Sequence, residues 1–392
     1  MKLRDLLPRA RNRQDRLVAW RREIHMHPEL GFQEERTARL VAGALGEMGL
    51  QVETGVAKTG VVATLGRGRP AIALRADMDA LQVQEANDVP YASRRPGLMH
   101  ACGHDAHTAM LLGAAQLLRT MPDRPAGQVR FLFQPCEEAW DEEGKSGALR
   151  LIEAGALAGV DAALALHVDP AAPAGQVGVR SGHVMAAVDP FSATVIGAGC
   201  HSSAPHQGLN PIFLLVQVLN AIQGIPTLRI SPLQPAIISL ESIHGGGTTG
   251  VIPEEVTFHG NVRCYDEEVR RRLHEELEKA FGIVRALGGD YRLEIRRYYP
   301  ACYNDPGITG VVGRVAEALV GAEGLYQPEL EMAGEDFAYI AGRVPACLVR
   351  LGVKAGEVAR PLHSPLFDID EAALPLGAAL LAGAACRLLD EV

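Results

Sequence analysis

The hydrophobic pattern of the chain changes once and then changes back, and that constrains the fold more than any other feature. From the N-terminus, apolar residues recur at helical spacing in "DRLVAWRREIHMHPELG" and "EERTARLVAGALGEMGL" and then gather into strand-length runs, "VVATLG" and "AIALRAD". "HTAMLLGAAQLLRTM", "GQVRFLFQP", "SGALRLIEAGAL" and "DAALALHV" continue as helix, strand, helix and strand. Such alternation predicts an α/β domain, a sheet with helices on both faces. From about Met185 the order becomes strand, helix, two strands, helix and strand, from "AVDPFSATVIGAG" to "YRLEIRRYY", the βαββαβ arrangement of a split βαβ unit. After Pro300 the alternation resumes. The expected organisation is one α/β domain built from residues 1–184 and 298–392, interrupted by a smaller domain at 185–297.

A chain of 392 residues exceeds what one hydrophobic core usually serves, which agrees with two domains. A net charge of -9 argues against a nucleic-acid partner, which would show a basic face. The N-terminal stretch "MKLRDLLPRARNRQDRLVAW" lacks the apolar segment and cleavage site of a signal peptide. No uninterrupted apolar run of about 18 residues occurs, so no membrane partner and a cytoplasmic address are expected. The 7 cysteines are odd in number, scattered and never paired as C-x-x-C, which does not suit a disulfide framework. Cys102 differs from the others in standing among histidines.

Several predicted strands end in residues that bind metals. "AIALRADMDAL" places Asp77 and Asp79 past a strand end, "VRFLFQPCEE" places Glu137 and Glu138 there, and "ALALHVDP" carries His167. Sites in open α/β sheets form outside the carboxyl ends of strands, so these residues can converge. "MHACGHDAHTAMLLGAA" adds His100, Cys102, His104 and His107 at the start of a helix. Thiolate, imidazole and carboxylate together suit zinc, and imidazole with carboxylate also suits manganese, cobalt or nickel. The bland alternative is a histidine-rich cap with Cys102 as an inert core thiol. Glu137 and Glu138 could likewise form a solvated turn, but two carboxylates after so apolar a strand cost desolvation unless paired or metal-bound. One can ligate while its neighbour takes a proton from water and later delivers it to a leaving nitrogen.

In their order along the chain, "RADMDAL", "MHACGHDAHTAMLLGAA", "QPCEE", "ALHVDP", "GAGCHSSAPH", "GEDFAYI" and "LHSPLFDIDE" resemble the bacterial and plant N-acyl-amino-acid amidohydrolases. These belong to the aminoacylase and carboxypeptidase group of metallohydrolases and include hippurate and auxin-conjugate hydrolases. The resemblance runs from "HMHPELGFQE" to "HSPLFDIDE". It implies a zinc-peptidase-like catalytic domain with a mixed central sheet flanked by helices, interrupted by a ferredoxin-like lid that commonly dimerises. The assembly expected is a homodimer or a dimer-based tetramer.

Carried over motif by motif, the resemblance makes Cys102, His104, Glu138, His167 and His363 the ligands of one or two divalent ions, Glu137 the general base, and Asp79 an orienting carboxylate behind the ligands. His201 in "GCHSSAPH" matches a histidine that stabilises the tetrahedral oxyanion, in its own active site or the partner subunit's. Asn261 and Arg263 in "GNVRCYD" are candidates for holding a substrate carboxylate, with a strand-edge salt bridge the alternative for Arg263. Lid closure about hinges near 183–187 and 296–300 would exclude water. The chain departs from the family at Cys136, where a small residue is usual, and at Cys200, where glycine is usual.

The reading that follows is a metal-dependent hydrolase cleaving a small N-acyl amino acid to a carboxylic acid and a free amino acid. A dipeptidase or carboxypeptidase uses the same chemistry on a different substrate. A non-catalytic metal-binding protein would keep the ligands and lose the base, whereas here Glu137 stands beside Glu138. A redox role for Cys102 lacks a resolving cysteine nearby in sequence.

Overall fold

Buried parallel strands open as apolar runs, and "AIALRAD" does so before Arg75 and Asp77, with every residue buried. The computed structural model in which it is seen describes residues 3–358 and 360–392; Met1 and Lys2 of the N-terminal stretch read above, and Ala359 just before "RPLHSP", lie outside the described residues.

Helices α1 (Leu6–Arg11), α2 (Gln14–His25) and α3 (Glu35–Glu47) lead into strands β1 (Gln51–Val56), β2 (Gly60–Arg67) and β3 (Ala71–Asp77). Next come α4 (His104–Arg119), β4 (Gly127–Gln134), α5 (Gly147–Glu153), β5 (Ala162–Pro173), β6 (Val177–Gly178) and β7 (Gly182–Met185). The middle of the chain holds β8 (Ala187–Ile196), β9 (Cys200–His201), α6 (Pro211–Leu228), β10 (Ala236–Gly245), β11 (Val251–Ile252), β12 (Glu255–Cys264), α7 (Glu267–Ala286) and β13 (Asp290–Ile295). The last part consists of β14 (Cys302–Asn304), α8 (Pro306–Val320), β15 (Leu325–Tyr326), α9 (Phe337–Ala341), β16 (Ala346–Lys354) and α10 (Leu374–Glu391).

The chain forms two compact units, one of residues up to Val184 with Tyr303–Glu329 and Tyr339–Val392, the other of Met185–Cys302 with Leu330–Ala338. The return point is later than residue 298 because the segment after β13 stays bonded to β8: Arg296 N donates to Pro190 O and Tyr298 N to Asp189 Oδ1. Leu330–Ala338 joins the second unit through Ala186 N, which donates to Ala333 O at 2.9 Å.

The first unit is built on an eight-stranded sheet in the order β1-β2-β4-β3-β5-β16-β6-β15. Its centre, β4-β3-β5-β16, is parallel, and antiparallel pairs flank it, so the sheet is mixed. Helices α4 and α10, rich in alanine and leucine, pack on β3 and β5 and are buried along nearly their whole length. Their close approach depends on small residues: a Cβ at Gly377 would lie 2.0 Å from Met110 Sδ.

The second unit has a four-stranded antiparallel sheet in the order β10-β12-β8-β13. Counting its strands by chain position gives 4-1-3-2 read from β13, the order of a split βαβ fold. Phe191, Phe258, Phe281 and Leu277 centre its core between the sheet and helices α6 and α7. Among the described residues two helical segments, Pro211–Leu228 and Glu371–Glu391, are long and apolar enough to cross a membrane. The latter is 89% buried as a core helix, whereas α6 is only 33% buried and leaves Ile212, Phe213 and Val216 exposed.

Candidate metal centre

The first unit gathers its chemistry where β3 stops at Asp77 and β4 at Gln134 while β5 runs on past His167. Helix α4 starts there at His104. Gly103 before it has φ 88°, and a Cβ would lie 2.5 Å from Val168 Cγ2, so conformation and space both require glycine. Two non-glycine residues beside the centre are also left-handed, Cys136 at φ 47° and His363 at φ 62°. Each costs on the order of 1 kcal/mol and persists because the surroundings over-determine it. Cys136 N donates to Glu34 Oε1 at 2.8 Å and its carbonyl accepts from Gly147 N, while His363 N donates to Ala101 O at 2.8 Å.

Three overlapping sets of side chains bring their ligand atoms within 4.8 Å of one another: Cys102, His104 and His167; Cys102, Glu138 and His363; His104, Glu137 and Glu138. Cys102 Sγ lies 3.5 Å from His167 Nε2, and Glu138 Oε1 lies 3.2 Å from His363 Nε2 and 4.0 Å from His104 Nε2. The other ring nitrogens are held from behind. His104 Nδ1 faces the Asp79 carbonyl at 2.9 Å and its Oδ1 at 3.1 Å, and His167 Nδ1 faces the Val168 carbonyl at 2.8 Å. With protons on both Nδ1 atoms, both Nε2 lone pairs turn inward, as metal-ligating histidines require. Asp79 Oδ2 also accepts the Glu138 N–H at 2.9 Å, so one carboxylate orients two of these side chains.

Burial pushes the Cys102 thiol well above its usual range, and the charges of Glu138, Glu137 and Asp77 push it further. Burial lowers His104, but Asp77, Asp79 and Glu138 outweigh it and raise the imidazole to about 10. His363 is raised by its hydrogen bond to Glu138. Negative charge thus crowds an interior in which His104 Nε2 is buried without a hydrogen-bond partner and Glu138 Oε1 faces the His363 ring at 3.2 Å. A ring nitrogen left so among carboxylates and a thiol fits divalent cations, which would reverse this local electrostatic balance.

Not every sequence candidate joins the cluster. His100 is buried with neither ring nitrogen hydrogen-bonded, burial drives it down to about 4, and it belongs to none of the ligand sets. His107 lies beside His104 and Asp77, yet both its ring nitrogens are already engaged, by Asp77 and by Val168 N. Two supports escaped the sequence. Arg21, fully buried, joins Asp105 of α4 at 2.8 Å to Asp368, just past His363, at 2.9 Å. Glu34 is equally buried, and burial together with the Asp79 charge raises it to about 7. Helix spacing could have flagged Arg21 as facing inward; nothing in "GFQEER" marks Glu34.

The remaining candidates lie in the second unit. His201 is exposed on β9, and its Nδ1 accepts from Ser203 N at 3.1 Å, which leaves the ring proton on Nε2 as an outward donor. Arg263 is half-buried on β12 and donates through Nη1 to Met332 O at 2.6 Å. Asn261 gives its amide to Glu241, and its Oδ1 is buried without a partner. Asn261 therefore presents an acceptor, and Arg263 a guanidinium.

A model of peptidase family M20/M25/M40 matches residues 73–387. The chain is 39% identical over 381 residues to the N-acetyl-L-cysteine deacetylase of Bacillus subtilis (strain 168), covering 96% of this chain and 88% of that protein. It is 38% identical over 389 residues to thermostable carboxypeptidase 2 of Saccharolobus solfataricus, covering 95% and 96%. Its structure matches the crystal structure of the Bacillus subtilis YXEP protein, described as a dinuclear metal-binding peptidase of family M20, with a TM-score of 0.84 and 32% identity over 97% of this chain and 100% of that one.

Proposed function

The chain belongs to peptidase family M20/M25/M40, and on that premise we propose that it cleaves the amide of N-acyl amino acids to a carboxylic acid and a free amino acid. It is a metal-dependent hydrolase of linear amides. Cys102, His104, Glu138, His167 and His363 would hold one or two divalent ions, zinc by ligand softness, with manganese, cobalt or nickel as alternatives. Bound there, the ions supply a polarised water and a Lewis acid for the scissile carbonyl. Glu137 takes the proton of the attacking water and hands it to the leaving nitrogen. Asp79 keeps His104 and Glu138 in place. His201 donates its Nε2 proton to the developing oxyanion, and Arg263 takes the substrate carboxylate.

The observation that carries this reading is the set of three overlapping ligand groups, one of which includes Glu137 beside Glu138. A second reading, a dipeptidase or carboxypeptidase, draws on the similarity to a carboxypeptidase along nearly the whole chain. The test is hydrolysis of N-acetyl, N-benzoyl and indole-acyl amino acids beside free dipeptides, after chelation and reloading with each metal, with Glu137→Gln as control. Release of amino acid from the acylated set alone supports the first reading, and turnover of dipeptides alone the second. Metal binding with no turnover of either sinks both.

The second unit serves in this reading as a lid that pairs with a second copy of the chain, giving a homodimer or a dimer-based tetramer. The exposed apolar residues of α6 and the unpaired edge of β10 support this. A monomer in sedimentation at micromolar concentration would count against it. That the 7 cysteines are thiols and not disulfides fits a cytoplasmic address.

A further inference from the structure

Strand β5 outruns its neighbour. The last parallel pair between β3 and β5 is Arg75 with Ala165, two residues short of His167, and β3 ends at Asp77. On the far side β16 continues alongside, pairing Arg350 with His167 and Leu351 with Val168. At Val168, where β3 no longer offers a main-chain acceptor, the N–H donates instead to His107 Nε2 at 3.0 Å. His107 Nδ1 lies 2.6 Å from Asp77 Oδ1, and Arg75 Nη1 donates to Asp77 Oδ2 at 2.7 Å. Arg75, Asp77, His107 and Val168 are all buried.

These contacts fix the state of the ring. A main-chain N–H can only donate, so Nε2 of His107 is an acceptor, and the proton sits on Nδ1, where it is given to the Asp77 carboxylate. Asp77, His104 and His107 stand close enough together to resemble a metal-binding group of their own. Of the three, however, only His104 keeps a ring nitrogen without a partner, because both nitrogens of His107 and both oxygens of Asp77 are engaged.

We propose that His107 is a positioning residue that stands in for a missing strand, fixing His167 through the peptide of Val168. Val168 is held at both polar atoms, its N–H by His107 and its carbonyl by Nδ1 of His167, which points His167 Nε2 toward Cys102. The His107 ring also meets the His167 ring edge-on, with centroids 4.8 Å apart. The sheet can therefore open into a cleft at this point without leaving the strand that carries His167 loose.

The inference rests on the metal-centre reading, and its test separates the two. Zinc affinity of the full chain is measured by competition with a chromophoric chelator for the unaltered protein, His107→Leu and His107→Gln, and imidazole nitrogen resonances are recorded on the zinc-loaded unaltered protein. Absence of tight zinc binding in the unaltered protein would defeat the metal centre itself. With the centre intact, His107→Leu should bind zinc roughly 10- to 100-fold more weakly, the usual cost of losing a group behind a ligand. His107→Gln, whose amide can accept from Val168 N and donate to Asp77, should keep the unaltered affinity. His107 should show a protonated Nδ1 and a hydrogen-bonded Nε2 without metal. A metal-shifted His107 nitrogen, equal affinity in the folded leucine variant, or equal loss in both variants overturns the proposal. If His107→Leu does not fold, the spectrum and the glutamine variant decide.

Discussion

Asp79 and Glu138 are joined through the main chain: the Asp79 carboxylate accepts the Glu138 N–H at 2.9 Å while its other oxygen faces His104 Nδ1 at 3.1 Å. Replacing Asp79 with asparagine leaves an acceptor for Glu138 N–H but removes the charge that favours a proton on Nδ1. Zinc affinity in Asp79→Asn should fall by roughly 10-fold or more, with folding intact. Isothermal titration beside a thermal melt checks both halves; unchanged affinity would remove Asp79 from the centre.

Glu137 is expected to act on protons and not on the ions. Glu137→Gln should lower kcat by roughly 100- to 10,000-fold, the usual worth of a positioned acid–base group, while zinc affinity stays as it was. A parallel loss of metal would make Glu137 a ligand.

Protons and metal compete for this centre. In the metal-free chain His104 holds its proton up to a pKa of about 10, and Cys102 holds its own above the usual thiol range. Both must lose that proton to ligate, so zinc uptake near pH 7 should release roughly two protons, and the apparent affinity should rise with pH. Titration in weak buffer with a pH indicator counts them; affinity independent of pH between 6 and 8 would contradict the assignment.

Glu34 makes a prediction about stability. Folded, it keeps its proton to about pH 7; unfolded, it loses it near 4.5. Between those values the native state binds more protons, so this group makes stability fall as pH rises through the window and then level off. Glu34→Gln keeps an acceptor for Cys136 N and removes the charge. The metal-free variant should gain on the order of 3 kcal/mol over the unaltered chain above pH 7 and nothing at pH 4, read by urea denaturation.

Arg263 should matter only to substrates that carry a carboxylate. Arg263→Lys loses the planar fork and should raise KM for N-acyl amino acids roughly 10-fold or more, with little change for N-acyl amines. An equal effect on both would assign Arg263 to the structure of the second unit, through Met332.

Much of this was legible in the sequence, and what was missed has physical causes. Strands β3, β4 and β5 announce themselves because a buried parallel strand has no polar face to interrupt its apolar run. β1 does not, since "QVETGV" is mostly exposed at a sheet edge and looks like a polar loop. β5 also runs on to Pro173 through "DPAAP", where composition argues for a stop. His107 counts as a ligand by residue type and by its spacing from His104, but which nitrogen is occupied depends on where β3 ends. Glu34 follows the same rule: one of several acids in a polar stretch, it owes its burial to Cys136 and Thr59, distant in sequence.

The cluster of Cys102, Glu138 and His363 takes residues from both sides of a segment that forms a separate unit. A ribosome-bound chain has therefore made its thiol, its acids and most of the second unit long before His363 emerges, and it has no complete centre to offer an ion until then. Metal acquisition waits for the segment that follows the second unit. An ion held there is also a clasp: it closes a loop that contains the second unit, and a truncation near the C-terminus, distant in sequence from Glu137, would leave that clasp open.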